Sequence, residues 1–307
     1  MYQTGISHQE ASLVFKDGDR MRIGFAGAGK VGFTLGRYFT ERSVCVSGYY
    51  SLYADSALEA SQFTHTSCFN SLQELADASD VIFLTVPDGQ IETVWNSLKG
   101  SDLKGKVICH CSGALSSAVF SEIDRTGAYG YSIHPLFAVS DRLHSWREIS
   151  NAYFTIEGSS AKMDMWRDIF ARLGNPDRII TADNKTLYHA AAVFASNLVV
   201  GLYEQAMNLM VSCGFGREDA GKALAPLFLH NCEAVAAKGT DAALTGPVER
   251  NDLGTVEKHL KVLPEEEREV YIRLSQTLTA ISQRKYPDRD YEVMSRRLSE
   301  EKGMEKS

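Results

Sequence analysis

The sequence has no uninterrupted apolar stretch of the ~20 residues that a helix needs to span a bilayer. Its longest mainly apolar run, Ala190 to Tyr203, is broken by Ser196 and Asn197 and reads as a buried helix. Positive charge is also short. Lys and Arg number 32 against 39 Asp and Glu, a net charge of −7, so no overall field favours a nucleic-acid backbone or an anionic membrane. No CxxC pair occurs among Cys45, Cys68, Cys109, Cys111, Cys213 and Cys232, which argues for reduced thiols over a structural zinc site. Cys109-His110-Cys111 comes nearest to a ligand cluster, but in a strand the two thiols would face one way and the imidazole the other. No metal is expected there. The first twenty residues lack a basic start followed by an apolar stretch and a cleavage site, so export is not expected and the cytoplasm is the default. Repeats and low-complexity tracts are missing too.

What is present divides the chain. At about 100–200 residues per domain, 307 residues favour two domains. After an unpatterned leader (1–20), RIGFA (22–26), VCVSGYY (44–50), VIFLTVPD (81–88), VICHC (107–111) and GYSIHP (130–135) read as strands. Helical segments separate them, at 30–40, at 71–78 with a serine cap, at 91–98 and from near Leu115. Near-continuous apolar strands alternating with helices predict an α/β fold, a Rossmann-type doubly wound, mostly parallel sheet. AYFTIEG and RIIT, around a helix at 161–173, belong at its far edge. From Asp183 the pattern becomes long helices, about 183–212, 217–237, 252–261 and 264–284, an all-α domain expected over 183–287 after a sheet domain over 21–182. The last 24 residues carry 13 charged side chains, and the tail 288–307 reads as solvated.

The turn Gly27-Ala28-Gly29-Lys30-Val31-Gly32 links the first strand to the first helix. In this context the first glycine permits a tight turn, Gly29 lets backbone approach a pyrophosphate, and Gly32 lets helix pack on strand. Dinucleotide is the expected ligand, with the helix N-terminus facing the anion. NAD-preferring folds place a carboxylate at the end of the second strand; here the residues are Tyr49-Tyr50-Ser51, so NADP is mildly favoured over NAD, with Ser51 a partner for a 2′-phosphate. Val86, Pro87 and Asp88 end the third strand beside the presumed nicotinamide ribose, although Pro-Asp is equally a plain turn.

In KTLYHAAAVFASN (185–197), Lys185, His189 and Asn197 fall within an arc of about 120° if the segment is one helix. Such a face can close on a nicotinamide, Lys185 or His189 donating the proton that follows hydride delivery and Asn197 hydrogen-bonding the substrate. The same spacing suits a snorkelling lysine, a core histidine and a capping asparagine. Ser112 and Gly113 after VICHC, and His134 before Pro135, should lie at the carboxyl edge of the sheet where ligands bind; His134 can equally be a turn histidine. Arg250, in LTGPVERND (244–252), is suited to a substrate carboxylate or to an ion pair with Asp252.

GAGKVG, TVPD, HCSGALSS, SIHPLF, KTLYHAAAVFASNLVVGLYEQA and LTGPVERND, in that order, resemble the Rossmann-like oxidoreductases whose C-terminal half is domain of unknown function 2520. The family is similar in plan to ketopantoate reductases, pyrroline-5-carboxylate reductases and β-hydroxyacid dehydrogenases. The resemblance spans about residues 21–285. It implies an NAD(P)-dependent oxidoreductase, a small polar oxo or imino acid as substrate, and a homodimer through the helical domain. It maps a catalytic Lys-x3-Asn pattern onto Lys185 and His189, where the imidazole replaces an amide. The family's arginine after the second strand is absent, and its Arg-Gly-Asp is here Arg250-Asn251-Asp252, tolerable in a left-handed turn. A non-catalytic NAD(P)-binding sensor is the alternative, since the ribose carboxylate is missing.

Overall fold

The computed structural model describes residues 21–300; the expected leader and the last seven residues of the expected tail lie outside them. The described residues divide into two compact units, one ending at Asn197 and the other beginning at Leu198.

In the first unit the elements run β1 (Arg22–Ala26), α1 (Lys30–Glu41), β2 (Cys45–Tyr50), α2 (Ala54–Thr64), β3 (Ser67–Cys68), α3 (Leu72–Asp77), β4 (Val81–Leu84), α4 (Asp88–Leu98), β5 (Val107–His110), α5 (Ile123–Thr126), β6 (Tyr129–Leu136), β7 (Tyr153–Gly158), α6 (Met163–Leu173), β8 (Asp177–Ile179) and α7 (Lys185–Phe194). The strands form one sheet in the order β3-β2-β1-β4-β5-β6-β7-β8. Pairing is parallel except between β6 and β7. The α/β, doubly wound expectation holds, with the late strands at the far edge as expected.

Alternation along the strands sorts side chains onto the two faces. Phe25, Phe83 and Cys109 join a cluster with Phe33 and Trp166, whereas Ala26, Leu84 and Ile108 pack with Ile91 and Trp95. His110 stands against Phe120, away from Cys109. Ser71 caps α3 by accepting from Glu74 N–H, and the Glu74 carboxylate accepts from Asn70 N–H just before the cap. The helix expected from Leu115 is replaced by a short 3-10 turn and the four-residue α5. Two contacts hold that segment off a helical path: Ser112 Oγ accepts from Ala114 and Leu115 N–H, and Glu157 accepts from Ser117 N–H and Oγ. α2 and β3, which carry no strong periodicity, were not anticipated.

The second unit continues with α8 (Asn197–Ser212), α9 (Arg217–Ala243), α10 (Leu253–Val262), α11 (Glu265–Lys285) and α12 (Glu292–Glu300). Its all-helical character is as expected. Its tail is not: residues up to Glu300 form a packed helix, because Met294 and Leu298 lie four residues apart on one face and bury against Val256, Leu260 and Ile272. High charge density hid this narrow apolar stripe.

The single helix expected over 183–212 is broken between Phe194 and Asn197. Ser196 Oγ bonds back to the Ala192 carbonyl oxygen, a local competitor to helix continuation. Ala190–Tyr203 is also not buried within the chain, since Phe194 is 70% and Val200 71% exposed. Taken across the break, Ala182–Ser212 is long and apolar enough to cross a membrane by length and composition, with a mean hydropathy of 1.3 in its most apolar window and none of that window buried. An apolar sequence alone does not distinguish a core helix from one covered by another molecule.

Candidate functional site

β1 is flanked by β2 on one side and β4 on the other, so successive crossovers leave it in opposite directions and open a crevice at the strands' carboxyl ends. A cleft of about 600 Å³ occupies that place, lined by Gly27, Ala28, Gly29, Ser51, Val86 and Pro87 among others. Gly27 has φ +112°, and a Cβ there would come within 2.7 Å of the Thr85 carbonyl oxygen. A Cβ on Gly32 would meet Gly27 O at 2.6 Å and Thr85 Oγ1 at 2.8 Å. Thr85 Oγ1 in turn donates to Gly27 O at 2.8 Å. The turn is therefore held against the end of β4 at a separation only glycine allows.

The chemistry of this cleft suits a dinucleotide. Gly29 is the N-cap of α1 and has no side-chain cap, so the opening backbone N–H groups are left for an anion. No Asp, Glu, Lys or Arg is among the residues lining the cleft. At its β2 end lie Ser51, Tyr53 and Ser56, where NAD-preferring folds carry an acid. Thr85, Tyr53, Ser56 and Gln90 are lining residues that the sequence reading missed. Lys30, Val31 and Asp88, named from the fingerprint and the strand end, are not lining residues; Lys30 is exposed at the start of α1.

Asp88 has another task. Its Oδ2 accepts from Ser112 Oγ at 2.6 Å, tying the residue after Pro87 to the loop after β5. That loop leads to a second group of polar side chains. Lys185 opens α7 and is 1% exposed. Its Nζ donates to Ser112 O at 2.9 Å and Ser132 Oγ at 2.8 Å. Burial drives its pKa down to about 8, opposed by the carboxylates of Glu157 and Asp88 and by Cys111. The ammonium is thus a buried strut beneath Gly113 rather than a snorkelling side chain.

A Cβ placed on Gly113 would meet His189 Cδ2 at 2.7 Å and His134 Nε2 at 3.0 Å. The absence of a side chain there brings both imidazoles to one point. Both are half-buried. His134 Nδ1 lies 2.7 Å from the Tyr188 hydroxyl. Burial lowers the His134 pKa to about 3, and the charges of Lys185, His189 and His110 push the same way. Burial likewise lowers His110 to about 4, and His110 Nδ1 accepts from Ser112 N–H.

Of the residues read from sequence, Ser112, Gly113, His134, Lys185 and His189 are brought together. Asn197 is not part of their helix: it starts α8, is exposed, and accepts from Ser196 Oγ at 3.1 Å. The one-helix geometry that linked it to Lys185 fails at the break. In the second unit Arg250 is exposed, Asn251 has the left-handed φ of 59°, and Asp252 caps α10 by accepting from Thr255. Ser132, Tyr188 and Glu157 were missed. Helical spacing from Lys185 pointed to Tyr188, strand alternation from His134 pointed to Ser132, and an acid inside the apolar AYFTIEG pointed to Glu157. Among the described residues no group of three or more His, Cys, Asp or Glu is placed to hold a metal ion.

Residues 9–135 match the Rossmann-like domain, and residues 152–278 match the domain of unknown function DUF2520. The chain joins a Rossmann-like domain to a DUF2520 domain. No curated protein matches the sequence. Among solved structures it is similar to protein TM1727 from Thermotoga maritima, at 26% identity and a TM-score of 0.68, over 85% of this chain and 98% of that one. It also resembles in fold the Plasmodium falciparum pyrroline carboxylate reductase with NADP bound, at 16% identity, TM-score 0.57, over 86% and 97% of the two chains. A Myxococcus stipitatus imine reductase in complex with NADP+ is similar at 15% identity, TM-score 0.57, over 86% and 93%.

Proposed function

We propose that this Rossmann-like, DUF2520-containing protein is a soluble, cytoplasmic NAD(P)-dependent oxidoreductase acting on a small polar oxo or imino acid, with NADP preferred. The observation that carries this reading is the bond from Ser112 Oγ to Asp88 Oδ2, which couples the dinucleotide-type cleft to the His134–Tyr188–His189 cluster. The solved structures similar to this chain include reductases with NADP bound, and with no carboxylate in the cleft lining a 2′-phosphate would meet no repelling charge there. Gly27, Ala28 and Gly29 would hold the pyrophosphate, Ser51 and Ser56 the adenosine ribose and its phosphate, and Val86 and Pro87 the nicotinamide half.

When bound, a nicotinamide would supply hydride to the carbon of a C=O or C=N group, or take it from the C–H of the corresponding alcohol or amine. The chain's own residues do the rest. Lys185 spends two donors on Ser112 O and Ser132 Oγ, which sets the height of the Gly113 turn. His189, packed against that turn, is the side chain we assign to carry the proton to the reduced oxygen or nitrogen. His134 lies beside it and stays uncharged. Ser112 and Gly113 form the floor on which the substrate rests.

A second copy of the chain is the proposed cover for the apolar side of α7, where Leu187 is 73% and Phe194 70% exposed. The first turn of α7 is fastened to the sheet through Lys185, a position incompatible with crossing a bilayer. Leu187→Glu with Phe194→Glu should convert a sedimenting dimer to a monomer; a wild-type monomer would remove this part.

The function is tested by following NADPH absorbance across a panel of oxo and imino acids with wild type, His189→Gln and Lys185→Met. Turnover that falls at least 100-fold in His189→Gln supports the assignment. Undiminished turnover in both variants would remove the proton donor, and dinucleotide binding without any turnover would favour a sensor.

A further inference from the structure

The cluster contains a His–Tyr pair whose shared proton is placed by chemistry. His134 Nδ1 and the Tyr188 hydroxyl are 2.7 Å apart, with the rings nearly perpendicular at 84°. One proton lies between them. Burial raises the Tyr188 pKa, with Thr155 opposing the rise, so the phenol keeps its proton at neutral pH. A phenol is a stronger donor than a neutral imidazole, and an imidazole ring nitrogen is a stronger acceptor than a phenol oxygen. Tyr188 O–H therefore donates to His134 Nδ1, and in a neutral imidazole the hydrogen bond at one nitrogen fixes the tautomer at the other.

We infer that Tyr188 is a positioning residue that fixes His134 as the Nε2–H tautomer, making that N–H a neutral hydrogen-bond donor for an acceptor oxygen of the substrate, a carbonyl or carboxylate. The N–H belongs to the nitrogen that lies beside the Gly113 turn. Burial first, and then the nearby Lys185, His189 and His110, keep the ring uncharged, so it polarises an oxygen without surrendering a proton, as neutral imidazoles do elsewhere. An iminium nitrogen offers no lone pair to such a donor. The tautomer stands on the free protein alone, whereas the choice of ligand rests on the proposed function.

Long-range 1H–15N correlation spectra of 15N-histidine-labelled protein test this, with the His134 signals assigned by their loss in His134→Gln. At pH 7 the expected pattern is a protonated Nε2 and an unprotonated Nδ1. In Tyr188→Phe the pattern should move toward a mixture of tautomers. A protonated Nδ1 with a bare Nε2, or an imidazolium, in wild type would overturn the assignment, as would a spectrum unchanged in folded Tyr188→Phe. Oxamate, added to the protein saturated with NADP, should shift the His134 Nε2–H resonance. Binding of NADP with no oxamate shift sinks the acceptor-oxygen subsite, whereas failure of NADP itself to bind sinks the proposed function and leaves the tautomer to be judged on the free protein.

Discussion

Replacing Lys185 by Met should abolish a specific rise of stability in alkali. Native Lys185 releases its proton near pH 8 because its ammonium is buried, whereas an unfolded lysine releases it near 10.5. Between those values the unfolded chain binds more protons than the native one, so stability increases with pH. With ~1.4 kcal/mol for each pH unit of separation, burying the charge costs about 3 kcal/mol at neutral pH. Raising the pH from 7.5 to 9.5 should recover about 2 kcal/mol of that cost. Met keeps the length of the stem and leaves Ser132 Oγ to donate to Ser112 O, a contact already present at 3.2 Å. Other groups also titrate in this range, so the informative quantity is the difference between wild type and variant. Trp95, Trp146 and Trp166, the three tryptophans of the sequence, all lie in the first unit, so urea unfolding followed by tryptophan fluorescence reads the unit that contains Lys185. The two proteins should diverge by about 2 kcal/mol between the two pH values. Parallel behaviour would show that Lys185 is not buried as a charge, and would undo its role beneath the Gly113 turn.

Acid should act in the opposite sense on His134 and His110, whose pKa values are lowered by burial to about 3 and about 4. Unfolded histidines take up protons near pH 6.5, so stability is lost as pH falls, by about 2 kcal/mol for each ring between pH 7 and 5; His134→Gln should lose one of these two contributions in urea titrations. Glu157→Gln removes a carboxylate that accepts from Ser117 N–H and Oγ and faces Lys185. It should cost about 1–3 kcal/mol at pH 7.5 and move the alkaline rise to lower pH; an unaltered rise would disprove the coupling. In the second unit, Leu298→Ala should destabilise by about 2–5 kcal/mol by circular dichroism, since its side chain is fully buried in that unit's core; a change under about 0.5 kcal/mol would show that α12 does not pack.

The sheet was readable because its signals are local: apolar strands, a glycine turn whose spacing has a steric cause, and a serine-capped helix. The exposed apolar surface of α7 and α8 was not readable, because Leu187, Phe194 and Val200 have the composition of a core. Nor was the break at Ala195 and Ser196, where the composition is that of a continuous helix. Of the site, Lys185, His134 and His189 were legible as polar residues in apolar segments. Their roles were not, because these depend on contacts across the fold: Lys185 reaches Ser112 and Ser132, far away in sequence, and Tyr188 acquires meaning only when His134 is opposite it.

The central claim is that the Gly27 cleft holds a nicotinamide dinucleotide. Calorimetric titration of the purified protein with NADPH and NADH, alongside Gly29→Asp, tests it most directly. The account predicts saturable binding of both, tighter for NADPH, and its loss when a carboxylate is placed at the N-terminus of α1. Absence of binding by either dinucleotide, or binding unaffected by Gly29→Asp, would contradict it.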